Sequence, residues 1–168
     1  MPTRNASAAW EGGLQGGTGS FKGESGTIGG SYSFGSRFGN AGGTNPEELL
    51  AAAEAACFSM ALSGGLERAG AAPTRVETQA ACTVEKVAEG FKITTLKLRV
   101  RAAADIAEDK FREVVEATKA GCPVSQALAG VKIDVVEATL DSEAGAQRSA
   151  GRGASAGAAD RGQGADAR

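Results

Sequence analysis

The chain carries three cysteines, Cys57, Cys82 and Cys122, and no histidine. Without imidazole, Ser-His-Asp and Cys-His catalysis and histidine zinc sites are excluded, so any chemistry must run on thiol, carboxylate, guanidinium or hydroxyl groups. No Cys-x-x-Cys pair occurs, and an odd cysteine count in a reducing compartment argues against a structural disulfide framework. Cys122, in GCPVSQ, takes the N-cap place before Pro123, where unpaired backbone N–H groups face its sulfur and favour thiolate. Cys57, in AACFSMAL, lies well inside a helix and gains almost nothing from the dipole. Burial among alanines would raise its pKa, so as a nucleophile it needs an external cation. Arg37, at the end of a strand and next to Phe38, is the best candidate, with a plain surface cation as its other reading. Cys82 falls on the apolar face of an alternating strand with no opposite charge at matching parity, and reads as a small buried thiol.

The helix that positions Cys57 is predicted over 45–62. Asn45 suits the N-cap, Pro46 the first helical position, and Glu47 and Glu48 complement the positive end of the dipole. Leu49, Leu50, Ala53, Cys57, Met60 and Ala61 recur at spacings of three and four and mark the inward stripe. The alanines between them leave little bulk on any face, so the helix should be central and largely buried. A second helical segment or an irregular turn is expected through 66–70, ahead of Pro73. Upstream, 8–38 is rich in Gly, Ser and Thr with aromatics between turn signals, predicting short antiparallel strands near 6–14, 18–23 and 27–34. Their glycines read as turn residues, because none leads into Gly-Lys-Ser/Thr opening a helix as a phosphate loop would.

Downstream, 75–87 alternates, with Val76, Thr78, Ala80, Cys82 and Val84 on one face. A turn at Glu89-Gly90 leads to a partner strand over 91–102, whose apolar parity shifts near Thr94-Thr95 and implies a bulge. An amphipathic helix over 105–119 turns Phe111, Val114, Val115 and Thr118 inward. Gly121 ends it, Cys122-Pro123 opens another helical turn, and 131–140 reads as a closing strand.

At 168 residues and 42% hydrophobic residues, one domain with a real core is expected over roughly 4–140. Residues 141–168 hold only Ala, Gly, Ser, Gln, Asp, Glu and Arg, have nothing to bury, and are expected to form a disordered Ala/Gly-rich tail. Net charge is -2, with no basic field for nucleic acid. No run reaches the ~18 apolar residues of a membrane span and the N-terminus lacks a secretion signal, so the protein reads as cytoplasmic and the Asn5-Ala6-Ser7 sequon as accidental.

Three separated motifs, SRFG, GTNPEELLAAAEAACFSMALS and AGCPVSQAL, resemble in their order and spacing the OsmC/Ohr family, specifically its OsmC branch. The likeness runs from Trp10-Glu11-Gly12 to the last strand and leaves out the tail. It implies an α+β fold, an intertwined homodimer with antiparallel sheets packed around central helices, in which residues 1–140 are one peroxidase domain. It also implies a thiol-dependent peroxidase that reduces organic hydroperoxides. Matched residue by residue, Cys57 falls on the peroxidatic cysteine, Cys122 on the resolving one, and Arg37 and Glu47 on the charged pair that serves the reactive thiol. That chemistry requires no metal or organic cofactor. It does require a dithiol to reopen the disulfide, and the resemblance points to a lipoyl-type reductant.

Glu47 and Cys57 are ten residues apart, so in one unbroken helix they lie about 15 Å from each other and roughly 80° around the axis. Glu47 is therefore poorly placed to serve the cysteine of its own chain. Two copies of the helix crossing antiparallel near Ala52 would bring Glu47 of one to Cys57 of the other. Two other readings stand beside the peroxidase: a non-catalytic stress protein whose groove binds an apolar ligand, and a redox sensor that signals through the same disulfide.

Overall fold

The computed structural model describes residues 2–141. The elements run β1 (Ala6–Glu11), β2 (Thr18–Gly23), β3 (Gly29–Ser33), α1 (Phe34–Phe38), α2 (Pro46–Arg68), β4 (Arg75–Val87), β5 (Gly90–Ala103), α3 (Glu108–Gly121), α4 (Pro123–Ala127) and β6 (Lys132–Asp141). The fold is α+β, with two three-stranded sheets in the orders β1-β2-β3 and β4-β5-β6. The first sheet is antiparallel throughout. In the second, β4 and β5 are antiparallel but β6 runs parallel to β5, so the expectation of antiparallel sheets is corrected to one antiparallel and one mixed sheet. The long connection through α3 and α4 makes this possible, since a parallel pair needs a crossover that a hairpin cannot supply.

The core lies between the second sheet and its helices. Leu96, Leu98, Val100 and Ala102 on β5 face Phe58, Leu62 and Leu66 of α2 and Phe111, Val114 and Val115 of α3. The inward residues of α3 are those its periodicity predicts. Strand β4 alternates as read, with Cys82 on the half-buried face, and the bulge falls between Thr83 and Val84 opposite the unpaired Thr94.

Helix α2 departs from expectation in two ways. It is continuous through Gly64-Gly65 to Arg68, because an added Cβ at Gly65 would come within 2.9 Å of Val114: close approach to α3 outweighs the low helix propensity of glycine. Its buried stripe is Glu47, Glu54, Phe58, Leu62 and Leu66, whereas Met60 is 75% exposed and Leu49 is exposed. Alanine occupies so many positions that several faces look equally apolar, and the bulky side chains decide which turns inward. The same alanines make this helix long and apolar enough to cross a membrane by length and composition, which corrects the expectation that no run is. Here its Glu54 is tied to Ser125 and its apolar stripe packs on the sheet.

The first sheet buries little in this chain. Strand β1 is exposed along its length, and the buried positions of β2 are Gly19 and Gly23. Gly19 is not a turn residue: it lies in register between Trp10 and Tyr32, and a Cβ there would run into the Tyr32 ring that covers it. The expected tail over 141–168 lies outside the described residues except for Asp141, which ends β6 and pairs with Arg101.

Phe58 is fully buried at the centre of this core. Phe58→Ala is expected to lower unfolding free energy by about 3–5 kcal/mol in urea titration, while Val136→Ala, half exposed on β6, should change it by no more than about 0.5 kcal/mol.

Candidate active site

Asn45 accepts the Glu48 N–H at 2.9 Å and Pro46 opens α2, as expected, which sets the phase of the helix that carries Glu47, Glu54 and Cys57. Arg37 sits on a short helix rather than at a strand end. Ser33 and Ser36 cap that turn reciprocally, the Ser36 hydroxyl also donates to the Thr44 carbonyl at 2.8 Å, and Arg37 is thereby aimed at α2. Its Nη2 donates to Glu47 Oε1 at 2.7 Å and its Nε to both carboxylate oxygens at 3.1 and 3.2 Å. Glu47 is buried, whereas about a third of the Arg37 side chain is exposed, at 35%. The guanidinium also lies over the Phe38 ring, 5.0 Å from its centroid, and Phe38 packs on Phe91.

Cys57 and Cys122 form the second pair. Both are free thiols, Cys57 half-buried and Cys122 fully buried, and Cys122 is near enough to act on the Cys57 thiol. The Cys57 thiol is pushed above the ordinary cysteine value, first by burial. A backbone hydrogen bond from Val124 opposes this, while contact with Cys122 and the charge of Glu54 add to it. The helix start at 122–123 therefore serves a different sulfur from the one expected. Cys122 makes no side-chain cap bond, and it is the Val124 N–H at the second position of α4 that faces Cys57.

The two pairs do not meet within one chain. Continuous helix from Glu47 to Cys57 keeps them about 15 Å apart. The Glu47 charge registers instead on Cys82, whose thiol is raised first by burial and then by that carboxylate. Arg37, expected to hold the Cys57 thiolate, holds Glu47 of its own chain. Next to Cys57 opens a cavity of about 480 Å³ between α2 and α3, floored by Gly64 and Gly65, walled by Val114 and Thr118, with Arg68 at one end. Among the described residues, no cluster of His, Cys, Asp or Glu could hold a metal ion.

Glu54 and Ser125 were not legible as site residues. Glu54 is fully buried, Ser125 donates to its Oε1 at 2.5 Å, and its Oε2 has no partner. The available signal was an acid within an alanine run, three residues before Cys57.

An α+β chain that brings two free thiols together beside an apolar cavity belongs to the class of thiol-based redox proteins. The sequence pattern of the family described as OsmC-like protein matches residues 39–136. Peroxiredoxin OsmC of Escherichia coli (strain K12) is 44% identical over 127 residues, covering 74% of this chain and 89% of that protein. Organic hydroperoxide resistance protein OhrB of Bacillus subtilis (strain 168) is 37% identical over 95 residues, covering 55% and 67%. The crystal structure of Bacillus subtilis OhrB aligns with a TM-score of 0.62 at 27% identity, covering 82% of this chain and 98% of that one. An OsmC-like protein from Mycoplasma pneumoniae, at 16% identity and a TM-score of 0.65, shares the fold. The chain belongs to the OsmC/Ohr family.

Removing the guanidinium leaves a buried carboxylate uncompensated. Arg37→Ala is expected to destabilise the protein by about 1–3 kcal/mol in urea unfolding, a value discounted for the exposed third of the Arg37 side chain, while Glu47→Gln should cost less.

Proposed function

We propose that this protein is a thiol-dependent peroxidase that reduces organic hydroperoxides to alcohols, with Cys57 as the attacking thiol and Cys122 as the resolving one. The observation that carries this assignment is the closeness of the two free thiols, which puts Cys122 and the Val124 backbone among the groups that act on Cys57. Cys57 thiolate attacks the distal oxygen of R–O–O–H, the O–O bond breaks, and the alkoxide leaves as alcohol with one proton. Cys57 is left as sulfenic acid. Cys122 then displaces its hydroxyl as water and closes a disulfide, which a dithiol reopens. The apolar cavity beside Cys57 suits an organic peroxide better than hydrogen peroxide, and admits a slender reductant such as a lipoyl group. A reducing compartment, which we take to be the cytoplasm, fits thiols that must be returned to the free state.

We further propose that the working form is a homodimer whose active site is shared. Burial has raised the Cys57 thiol, and the cation that would lower it is bound to Glu47 about 15 Å along the same helix. Two α2 helices crossing antiparallel near Ala52 place the Arg37–Glu47 pair of one subunit at the Cys57 of the other. The exposed alanines and Met60 on α2 leave room for the crossing and apolar surface to cover. Arg37 then holds the thiolate and polarises the departing oxygen, with Glu47 fixing the guanidinium.

One equivalent of cumene hydroperoxide should consume the Cys57 and Cys122 thiols in equal measure and leave Cys82 free, read by mass spectrometry after alkylation. An apolar-ligand binder without peroxidase activity would lose neither selectively. Sustained turnover with a dithiol, abolished in Cys57→Ser, separates the enzyme from a sensor.

Mixing Glu47→Ala with Cys57→Ser subunits tests the shared site separately. Heterodimers should regain roughly half of wild-type sites, since one of two sites is then complete. Folded heterodimers with no activity would rule out sharing.

A further inference from the structure

Glu54 is a buried titratable group that peroxide attack does not use. It lies three residues before Cys57 on α2, and its partner Ser125 lies three residues after Cys122 on the facing turn. Positions three apart on helical backbone share a face. The junction between α2 and α4 is thus closed by two opposed pairs, Cys57 against Cys122 and Glu54 against Ser125. The Glu54–Ser125 hydrogen bond, 2.5 Å long, ties together residues 71 apart in sequence.

The carboxylate is costly where it stands. One of its oxygens is buried without a partner, and its charge disfavours the Cys57 thiolate. An apolar residue would avoid both penalties. Glu54 therefore gives the first step of peroxide reduction no help, whereas its hydrogen bond to Ser125 reaches the turn that carries the second thiol. The later step has the tighter geometric demand, because sulfur–sulfur bonding confines the two Cβ atoms to about 3.5–4.5 Å of each other. Helix α4 has only 5 residues and cannot hold Cys122 there by its own backbone bonds.

On the peroxidase reading above, we propose that Glu54 is a positioning residue for disulfide closure: through Ser125 it holds the α4 turn so that the Cys122 sulfur stays aligned with the sulfenyl sulfur of Cys57. In that step the S–S bond forms as the S–O bond of the sulfenic acid breaks, and the hydroxide leaves as water with the proton shed by Cys122. Attack of Cys57 on peroxide does not use the Cys122 sulfur.

The test follows both steps in the full-length protein after one equivalent of cumene hydroperoxide, comparing wild type with Glu54→Gln, Glu54→Ala and Ser125→Ala. Loss of Cys57 thiol reports the first step; loss of Cys122 thiol, and the share of Cys57 trapped by dimedone, report the second. Ser125→Ala should oxidise Cys57 within about twofold of the wild-type rate and Glu54→Ala, which also removes the charge that disfavours the thiolate, no more slowly than wild type, but both should close the disulfide about tenfold more slowly, with more dimedone adduct. Glu54→Gln keeps an acceptor for Ser125 and should restore closure. If Glu54→Ala does not fold, Ser125→Ala, which removes only a hydroxyl, decides alone. Wild-type closure in Ser125→Ala overturns the proposal, as does an equal slowing of both steps. A Glu54→Gln protein as slow as Glu54→Ala also overturns it, since the carboxylate's charge or proton would then matter rather than its grip on Ser125. A wild-type protein whose Cys57 resists the hydroperoxide overturns the peroxidase reading itself, and this proposal with it.

Discussion

A half-buried sulfur such as Cys57 would have to ionise in order to attack, and its surroundings bear on that conflict. Burial is the largest influence on its thiol and acts upward, and both Cys122 and Glu54 push the same way. Within the chain the opposing influence is the single Val124 N–H, one of the donors that a helix start leaves unpaired. One neutral donor does not offset desolvation plus a neighbouring carboxylate. The influences within the subunit thus leave the Cys57 thiol above its ordinary value, and the dimer proposed above would add the cation that opposes them.

Helix α2 explains why the chain does not supply that charge itself. Its cap at Asn45 and its unbroken run to Arg68 make the spacing of Glu47 and Cys57 a rigid quantity, with no hinge to bring the two together. The three hydrogen bonds that fix Arg37 on Glu47 also spend the guanidinium on a buried carboxylate, but they leave about a third of the Arg37 side chain facing outward. On the dimer proposed above, this charged pair at the surface and the Cys57 thiol midway along the same helix would be two halves of one site. The exposed β1 and the sparse burial of β2 leave the first sheet with little core of its own.

Elements whose bulky apolar residues sit in polar surroundings were legible in the sequence. The inward face of α3, the parity of β4 and the bulge at Thr94 emerged because Phe111, Val114, Cys82 and their neighbours alternate with charges. The inward face of α2 did not, because a run of alanines carries too little contrast to tell one face from another. Arg37 was assigned to a strand end because nothing in SRFG itself shows that Ser33 and Ser36 will cap each other; that depends on Thr44 returning to the loop. The direction of β6 was equally hidden, since alternation is the same in parallel and antiparallel strands. Of the four nominated residues, Cys57 and Cys122 meet and Arg37 and Glu47 meet, yet Glu54 and the Val124 N–H, which bear directly on Cys57, belong to contacts that only the tertiary fold creates.

Exposure does not explain why Cys57 rather than Cys82 should react, for both are half-buried and burial raises both thiols. What differs is the company each sulfur keeps. Cys57 has a backbone N–H to stabilise developing negative charge and a second thiol within reach. Cys82 has no backbone N–H among the influences on its thiol, and its neighbouring charge is the carboxylate of Glu47. A sulfenic acid formed at Cys82 would have no adjacent thiol to capture it and would pass to irreversible states at high peroxide. On the proposed function, selectivity would thus come from pairing a reactive sulfur with its own means of rescue, and the α2–α4 junction holds the groups for both.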